Sequence, residues 1–213
     1  MVVIGVTGGV GTGKSTVARM FRERGAVVLD ADAVAHDAIE PGRPAWRDIV
    51  RAFGREVVRP DRRIDRKRLA AVVFADRRRR KRLEAIIHPR VLRRMAQEVR
   101  RLRRGGRCRA VVLEVPLMVE TGAQRLVDAL VVVTAPRAVQ RERLKRAYGW
   151  SQQEVDARIA AQWDLAAKVA LADHVIDNSD GAEATRTQVE QLWNRLVPAR
   201  RTPRSSTSPH SKS

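Results

Sequence analysis

The sequence predicts an α/β fold in which a parallel five-stranded sheet is flanked by helices. Three observations carry that expectation. Five short apolar runs are rich in β-branched residues and do not alternate with polar ones, as strands buried on both faces do. Helical patterns separate most of these runs, the order that builds parallel sheets by crossover connections. A glycine-rich stretch, Gly8 to Gly13, then joins the first run directly to the first helix.

The predicted strands are Val2–Val6, Ala26–Leu29, Ala110–Val115, Leu130–Val133 and His174–Ile176. The segment between the second and third is too long for a simple crossover. It reads as helical over Trp46–Phe53, Arg66–Phe74 and from Arg77 to Arg104, where Pro89 predicts two helices meeting at His88-Pro89. A second helical and basic excursion runs from Pro136 to about Val169, with Gly149 and Ser151 marking a break, and a last helix covers Ala182 to Leu196. The expected division is a core of residues 1–32, 107–135 and 170–197, a helical insert 33–106, a second insert 136–169, and a tail 198–213. The tail is rich in Ser, Pro, Thr and Arg with almost nothing apolar, a composition that predicts disorder.

A hydrophobic fraction of 44% is that of an ordinary globular chain, which excludes disorder for most of the rest. One cysteine, Cys108, excludes an intrachain disulfide and a thiolate zinc site, and fits a reducing compartment. The start of the chain lacks the basic and long apolar segments of a leader, and no window approaches a membrane span, so a cytoplasmic location and no membrane partner are expected. The formal charge of +19 is almost all arginine, with runs at Arg77–Arg82 and Arg100–Arg104. Such runs suit a phosphate-rich partner, but solvated helix faces carry them routinely. At 4% aromatic content the stacking that single strands require is poor, and no specific nucleic acid is expected.

The decisive residues are Gly8, Gly9, Val10, Gly11, Thr12, Gly13, Lys14, Ser15 and Thr16. They match G-x-x-x-x-G-K-[ST] after a predicted strand and before a predicted helix from about Lys14 to Arg24, the pattern of a phosphate-binding loop. Glycines let the backbone curl so that successive N–H groups meet a phosphate, and the helix adds its positive N-terminal end. Lys14 then reaches the β- and γ-phosphate oxygens, and the Ser15 hydroxyl ligates Mg²⁺, so ATP and Mg²⁺ are the expected cofactors. No Asn-Lys-x-Asp guanine-reading motif is present, and the length suits a kinase of small molecules. The second strand ends in Leu29-Asp30-Ala31-Asp32, where strand ends face the ligand crevice. Two readings stand: both aspartates cap the next helix, or one carboxylate, with Asp32 preferred, takes the proton of the acceptor hydroxyl.

Eight segments in order resemble the dephospho-coenzyme A kinase family. They are Gly5–Thr16, Leu29–Asp32, Ile64-Asp65-Arg66 with Val73-Phe74, Leu83–Pro89, Val115–Glu120, Gln140 with Arg143, Arg158–Gln162, and Ala172–Asn178, over about residues 1–196. The resemblance implies ATP-dependent phosphorylation of the ribose 3′-hydroxyl of dephospho-CoA, the last step of coenzyme A synthesis. It implies a nucleotide core, a CoA-binding domain formed by the first insert, and a lid formed by the second. By resemblance Asp32 is the catalytic base, and Thr7, Asp32, Arg66, His88, Pro116, Leu117 and Arg158 belong to the acceptor side. His88 either donates to a phosphate or caps a helix beginning at Pro89. A monomer or weak homo-oligomer is expected.

In the lid, Gln140, Arg143 and Arg146 fall at i, i+3 and i+6, and Arg158 and Gln162 at i and i+4. Arg141 is also available, and Arg143 is the preferred nucleotide-binding cation among them. The chain departs from the family in two places. Ala147 replaces an arginine one turn beyond Arg143, and Arg146 lies about 100° away round the helix. Glu114 stands where aspartate is commoner, with Met118-Val119 replacing Leu-Phe. Glu114 is expected to reach a metal-bound water at closest. The competing readings are a kinase of another small metabolite, a nucleic-acid-dependent ATPase and an ATP-binding protein without turnover.

Overall fold

Val3, Ile4 and Val6 have almost no exposure, so the first strand is covered on both faces, as its unbroken apolar pattern requires. The computed structural model describes residues 1–198, and the stretch expected as a tail lies, apart from Pro198, outside them. The strands are β1 (Val2–Gly8), β2 (Val27–Asp30), β3 (Ala110–Glu114), β4 (Ala129–Thr134) and β5 (His174–Asp177). All pair in parallel in the order β2-β3-β1-β4-β5. Each lies within two residues of its predicted run. Because β3 and β4 flank β1 from opposite sides, the chain reverses direction at the carboxyl end of β1, where ligands bind in open α/β sheets.

Helix α1 (Lys14–Glu23) and the terminal helix, Ala182–Leu196, cover one face. Val17, Met20 and Phe21 are at most 1% exposed there, each burial contributing about 1.5–3 kcal/mol. The other face is covered by α2 (Ala31–Ala38) and by the second half of α5 (Arg77–Gly105), through Val91, Met95 and Val99. Between α2 and α5 lie α3 (Pro44–Phe53), a short 3₁₀ turn at Arg55–Val57 and α4 (Arg66–Ala75), with their own small core of Ile49, Phe53, Val57, Ile64, Leu69 and Val73.

The expectation of two helices meeting at His88-Pro89 is corrected: α5 is one helix of 29 residues with Pro89 inside it. Asp76 caps its start, accepting from the Arg78 and Arg79 N–H groups, and Gly106 ends it in the left-handed conformation. Proline removes one hydrogen bond, at about 3 kcal/mol in a helix interior. Packing on both sides outweighs that cost. Leu83, Ile86 and Ile87 are held by the insert core, while Val91 onward is held by the sheet core. Arg90 strengthens the junction by donating to the Ile86 carbonyl at 2.6 Å and pairing with Asp48 of α3.

The second excursion contains three helices: α6 (Arg137–Tyr148), α7 (Gln152–Ala160) and the short α8 (Leu165–Val169), which the sequence pattern does not announce. The break at Gly149 and Ser151 is as expected. Gly149 ends α6 with φ +66°, and Ser151 opens α7 through a capping box with Glu154. The terminal helix is α9. No helix among the described residues is long and apolar enough to cross a membrane.

Pro89→Ala restores the missing backbone donor without changing a packed contact. The urea midpoint is expected to rise by the equivalent of about 1–3 kcal/mol; an unchanged midpoint would mean that the lost hydrogen bond at Pro89 carries no net cost in α5.

Candidate active site

The glycine-rich loop follows β1 as predicted, and its curl is enforced by contacts a larger residue would destroy. Gly13 has φ +92°, and a Cβ there would stand 2.0 Å from Asn178 Nδ2. Gly8 has φ +147°, with a Cβ position 2.3 Å from the Val133 carbonyl. The loop is also bonded from every side. Thr12 Oγ1 donates to the Gly9 carbonyl at 2.9 Å, and Lys14 Nζ donates to the same oxygen at 2.8 Å. The Thr12 carbonyl accepts from Asn178 Nδ2 at 2.8 Å and from Arg143 Nη1 at 3.3 Å. Val10 N–H donates to Gln162 Oε1 at 3.0 Å.

This loop floors a cleft of about 1270 Å³. Single small-molecule sites run to roughly 300–1,000 Å³, so the space suits two nucleotide-sized ligands. Its lining includes Lys14, Ser15, Asp32, His88, Glu114, Pro116, Leu117, Arg143 and Arg158, brought together from six elements and the turn after β3. Its rim carries Phe74, Tyr148 and Trp163, all more than half exposed.

Lys14 is buried at the head of α1. Burial, followed by the nearby Lys168 ammonium, lowers its pKa to about 8, against the pull of Glu114, Asp32 and Glu120. Ser15 Oγ donates to Glu114 Oε1 at 2.5 Å, which joins the head of α1 to the end of β3. The Glu114 carboxyl is shifted up by burial, partly opposed by that hydrogen bond.

The two aspartates after β2 divide the readings left open by the sequence. Asp30 is the helix cap: its Oδ1 accepts the Asp32 N–H at 2.8 Å. The Asp32 carboxylate makes no hydrogen bond among the described residues and lines the cleft. Its pKa is raised, first by desolvation and then by the neighbouring Asp30 charge. A carboxylate so placed is a better proton acceptor than an exposed aspartate. The second reading of His88 falls, since it sits mid-helix in α5 and caps nothing; its ring lines the cleft.

Two expected acceptor-side residues stand elsewhere. Thr7 is fully buried, and its hydroxyl donates to the Pro116 carbonyl at 3.1 Å, so it supports the turn after β3 and does not face the cleft. Arg66 lines a separate hollow of about 370 Å³ with Arg59, Arg63 and Lys67. Its Nη1 lies 3.0 Å from Nε2 of His36, one turn along α2 from Asp32.

In the second excursion, Arg143 also donates to the Asn178 carbonyl at 2.8 Å, while Gln140 is buried and donates to the Ala135 carbonyl after β4 at 2.8 Å. Arg141 pairs with Asp156, away from the cleft lining. Ala147 lines the cleft and Arg146 does not. Arg158 is stacked over the Trp150 ring at 3.8 Å, with Phe74 of α4 at 5.7 Å. Three residues escaped sequence reasoning: Asn178, Gln162 as a loop ligand, and Lys168. The last has a visible signal, a lone lysine between the apolar Leu165 and Val169 of a short helix.

A parallel 2-3-1-4-5 sheet with this loop, a free carboxylate opposite it and an arginine-bearing helical flap defines a phosphate-loop kinase. The chain belongs to the dephospho-CoA kinase family: the family model described as "CoaE: Dephospho-CoA kinase" matches residues 2–184. A dephospho-CoA kinase of Anaeromyxobacter dehalogenans is 52% identical over 192 residues, 90% of each chain. The crystal structure of TT1252 from Thermus thermophilus is 36% identical with TM-score 0.79, covering 92% of this chain and 98% of that one. The dephospho-CoA kinase structure from Campylobacter jejuni shares the fold at TM-score 0.63 and 22% identity, covering 92% and 98%.

Because phosphates favour the charged ammonium, ATP binding is expected to draw a proton onto Lys14 at pH values near and above 8. Titration calorimetry at pH 8.5 in two buffers of different ionisation enthalpy should show uptake, with affinity falling as pH rises further. Absence of uptake would mean that Lys14 is already fully charged in the free protein.

Proposed function

We propose that this chain transfers the γ-phosphoryl group of ATP to the ribose 3′-hydroxyl of dephospho-CoA, giving coenzyme A and ADP, the final step of CoA biosynthesis. The observation that carries the reading is the shared cleft. The Asp32 carboxylate, without a partner among the described residues, faces the same space as Lys14, and His88, Pro116 and Leu117 line it too.

The loop N–H groups and the start of α1 hold the β-phosphate, and Lys14 exchanges its bond to the Gly9 carbonyl for β- and γ-phosphate oxygens. Arg143, already anchored beside the loop, meets the charge that develops on the transferred group. Asp32 accepts the proton of the acceptor hydroxyl as its oxygen bonds to the γ-phosphorus. The β–γ bridging bond breaks, and ADP leaves with its electron pair. Arg158, held by the Trp150 and Phe74 rings, presents a guanidinium to the acceptor's phosphates.

Mg²⁺ fits this donor set. Ser15 Oγ at the head of α1 is a hard oxygen donor that would hold the ion, and the Glu114 carboxylate beside it would hold an ion-bound water. No group of three or more His, Cys, Asp or Glu side chains suited to a metal occurs among the described residues, so phosphate oxygens and water would complete the shell. The ion would neutralise phosphate charge.

ADP release and mass spectrometry of the acceptor test the reading, comparing dephospho-CoA with adenosine, AMP and shikimate. Turnover on dephospho-CoA with one phosphate added is expected; equal rates without it would remove the acceptor assignment. Asp32→Asn is expected to leave both KM values within about threefold and lower kcat by roughly 10²–10⁴-fold. A loss of folding with normal specific activity would instead make Asp32 a structural residue.

A further inference from the structure

Between the end of the lid and the turn after β3 lies a buried ion pair that none of the roles above uses. Lys168 on α8 has no exposed surface, and its Nζ stands 2.7 Å from Glu120 Oε1. It also donates to the Pro116 carbonyl at 3.1 Å, the oxygen that Thr7 of β1 bonds from the other side. Glu120 Oε1 accepts the Trp163 N–H at 3.3 Å, while the neighbouring Gln162 holds the loop at Val10. The stretch returning from the lid is thus bonded both to the phosphate loop and to the acceptor-side turn.

Stability alone does not call for this arrangement. A buried ion pair contributes little over apolar side chains of similar volume, because desolvation offsets the attraction. Here the pair is also incompletely satisfied, since Glu120 Oε2 is buried without a partner among the described residues. Leu165 and Val169 already anchor α8 to the core by apolar contact. What charge adds is direction. One ammonium bonded at once to Pro116 and Glu120 fixes where the turn lies relative to α8 and β1, which apolar packing does only loosely.

We propose that Lys168, through Glu120 and the Pro116 carbonyl, is a positioning residue that holds the acceptor-side wall of the cleft in register with the phosphate loop. The inference rests on the proposed kinase reading. Pro116, Leu117, Glu120 and Trp163 line the cleft, so a displaced turn displaces the acceptor. The nucleotide side shares one bond with this stretch, Gln162 to Val10, but Asn178 and Arg143 hold the loop independently of α8. Removing the Lys168 charge also relieves Lys14 of a repulsive neighbour, so ATP binding should not weaken.

The test compares Lys168→Met, Glu120→Leu and the double variant by thermal melting, by KM for each substrate, and by hydrogen exchange of residues 115–121 and 161–169 in the free protein. Lys168→Met alone leaves a buried, unpaired carboxylate and should melt at lower temperature. Its acceptor KM is expected to rise about tenfold, with the ATP KM within about twofold. The double variant should regain the melting temperature but keep the raised acceptor KM and fast exchange. Recovery of acceptor KM together with stability would reduce the pair to a structural role and overturn the proposal. An equal rise in the ATP KM would overturn it too. If the unmodified protein does not turn over dephospho-CoA, the functional reading fails instead. Exchange in the double variant then decides, fast supporting the positioning role and unmodified-like overturning it.

Discussion

Gly13 and Asn178 lie so close that not even a methyl group separates the phosphate loop from the end of β5, and much else follows from that approach. It lets Asn178 bond the Thr12 carbonyl, which holds the loop curled before any phosphate arrives. Thr185 of α9 in turn bonds Asn178 Oδ1 at 2.8 Å, so the support reaches back into the rear face of the sheet. The curl places Lys14 where burial depresses its pKa, and leaves Ser15 to meet Glu114 at the end of β3. A preformed loop pays its ordering entropy during folding, so binding energy remains for aligning the reaction.

Charge organises the cleft as firmly as packing does. Lys14 and Lys168 are both buried, an arrangement that requires Glu114, Asp32 and Glu120 nearby as compensation. The same carboxylates have separate duties: Glu114 holds Ser15, Glu120 holds Lys168, and Asp32 is left without a bond. Asp30 takes the capping role that would otherwise occupy Asp32. A single cap residue therefore determines which of two aspartates is chemically available. Most of the remaining charge, including much of the basic face of α5, is solvated or spent on exposed pairs of small individual worth.

Strand positions, the loop and the break between α6 and α7 were legible in the residues because each rests on local chemistry. β-branched runs, a G-x-x-x-x-G-K-S spacing and a Ser-x-x-Glu capping box act within a few residues of themselves. The cleft-lining residues His88, Pro116 and Leu117 were reached only by resemblance, since nothing local to them announces a ligand. The helix containing Pro89 was misread for the converse reason. Its local cost is real, but contacts from two separate cores override it.

The amino-acid order alone settled the sheet and the nucleotide loop, since those follow from short-range periodicity and spacing; the reaction was reached by resemblance over most of the chain. Only folding in three dimensions decided that Thr7 and Gln140 are buttresses, that Arg66 lies in another hollow, and that Ala147 lines the cleft while Arg146 does not. It also joined Lys168 to Glu120 and Asn178 to Thr12, residues 48 and 166 positions apart. Burial and hydrogen-bond partners depend on where distant segments cross, and no spacing along the chain records that crossing.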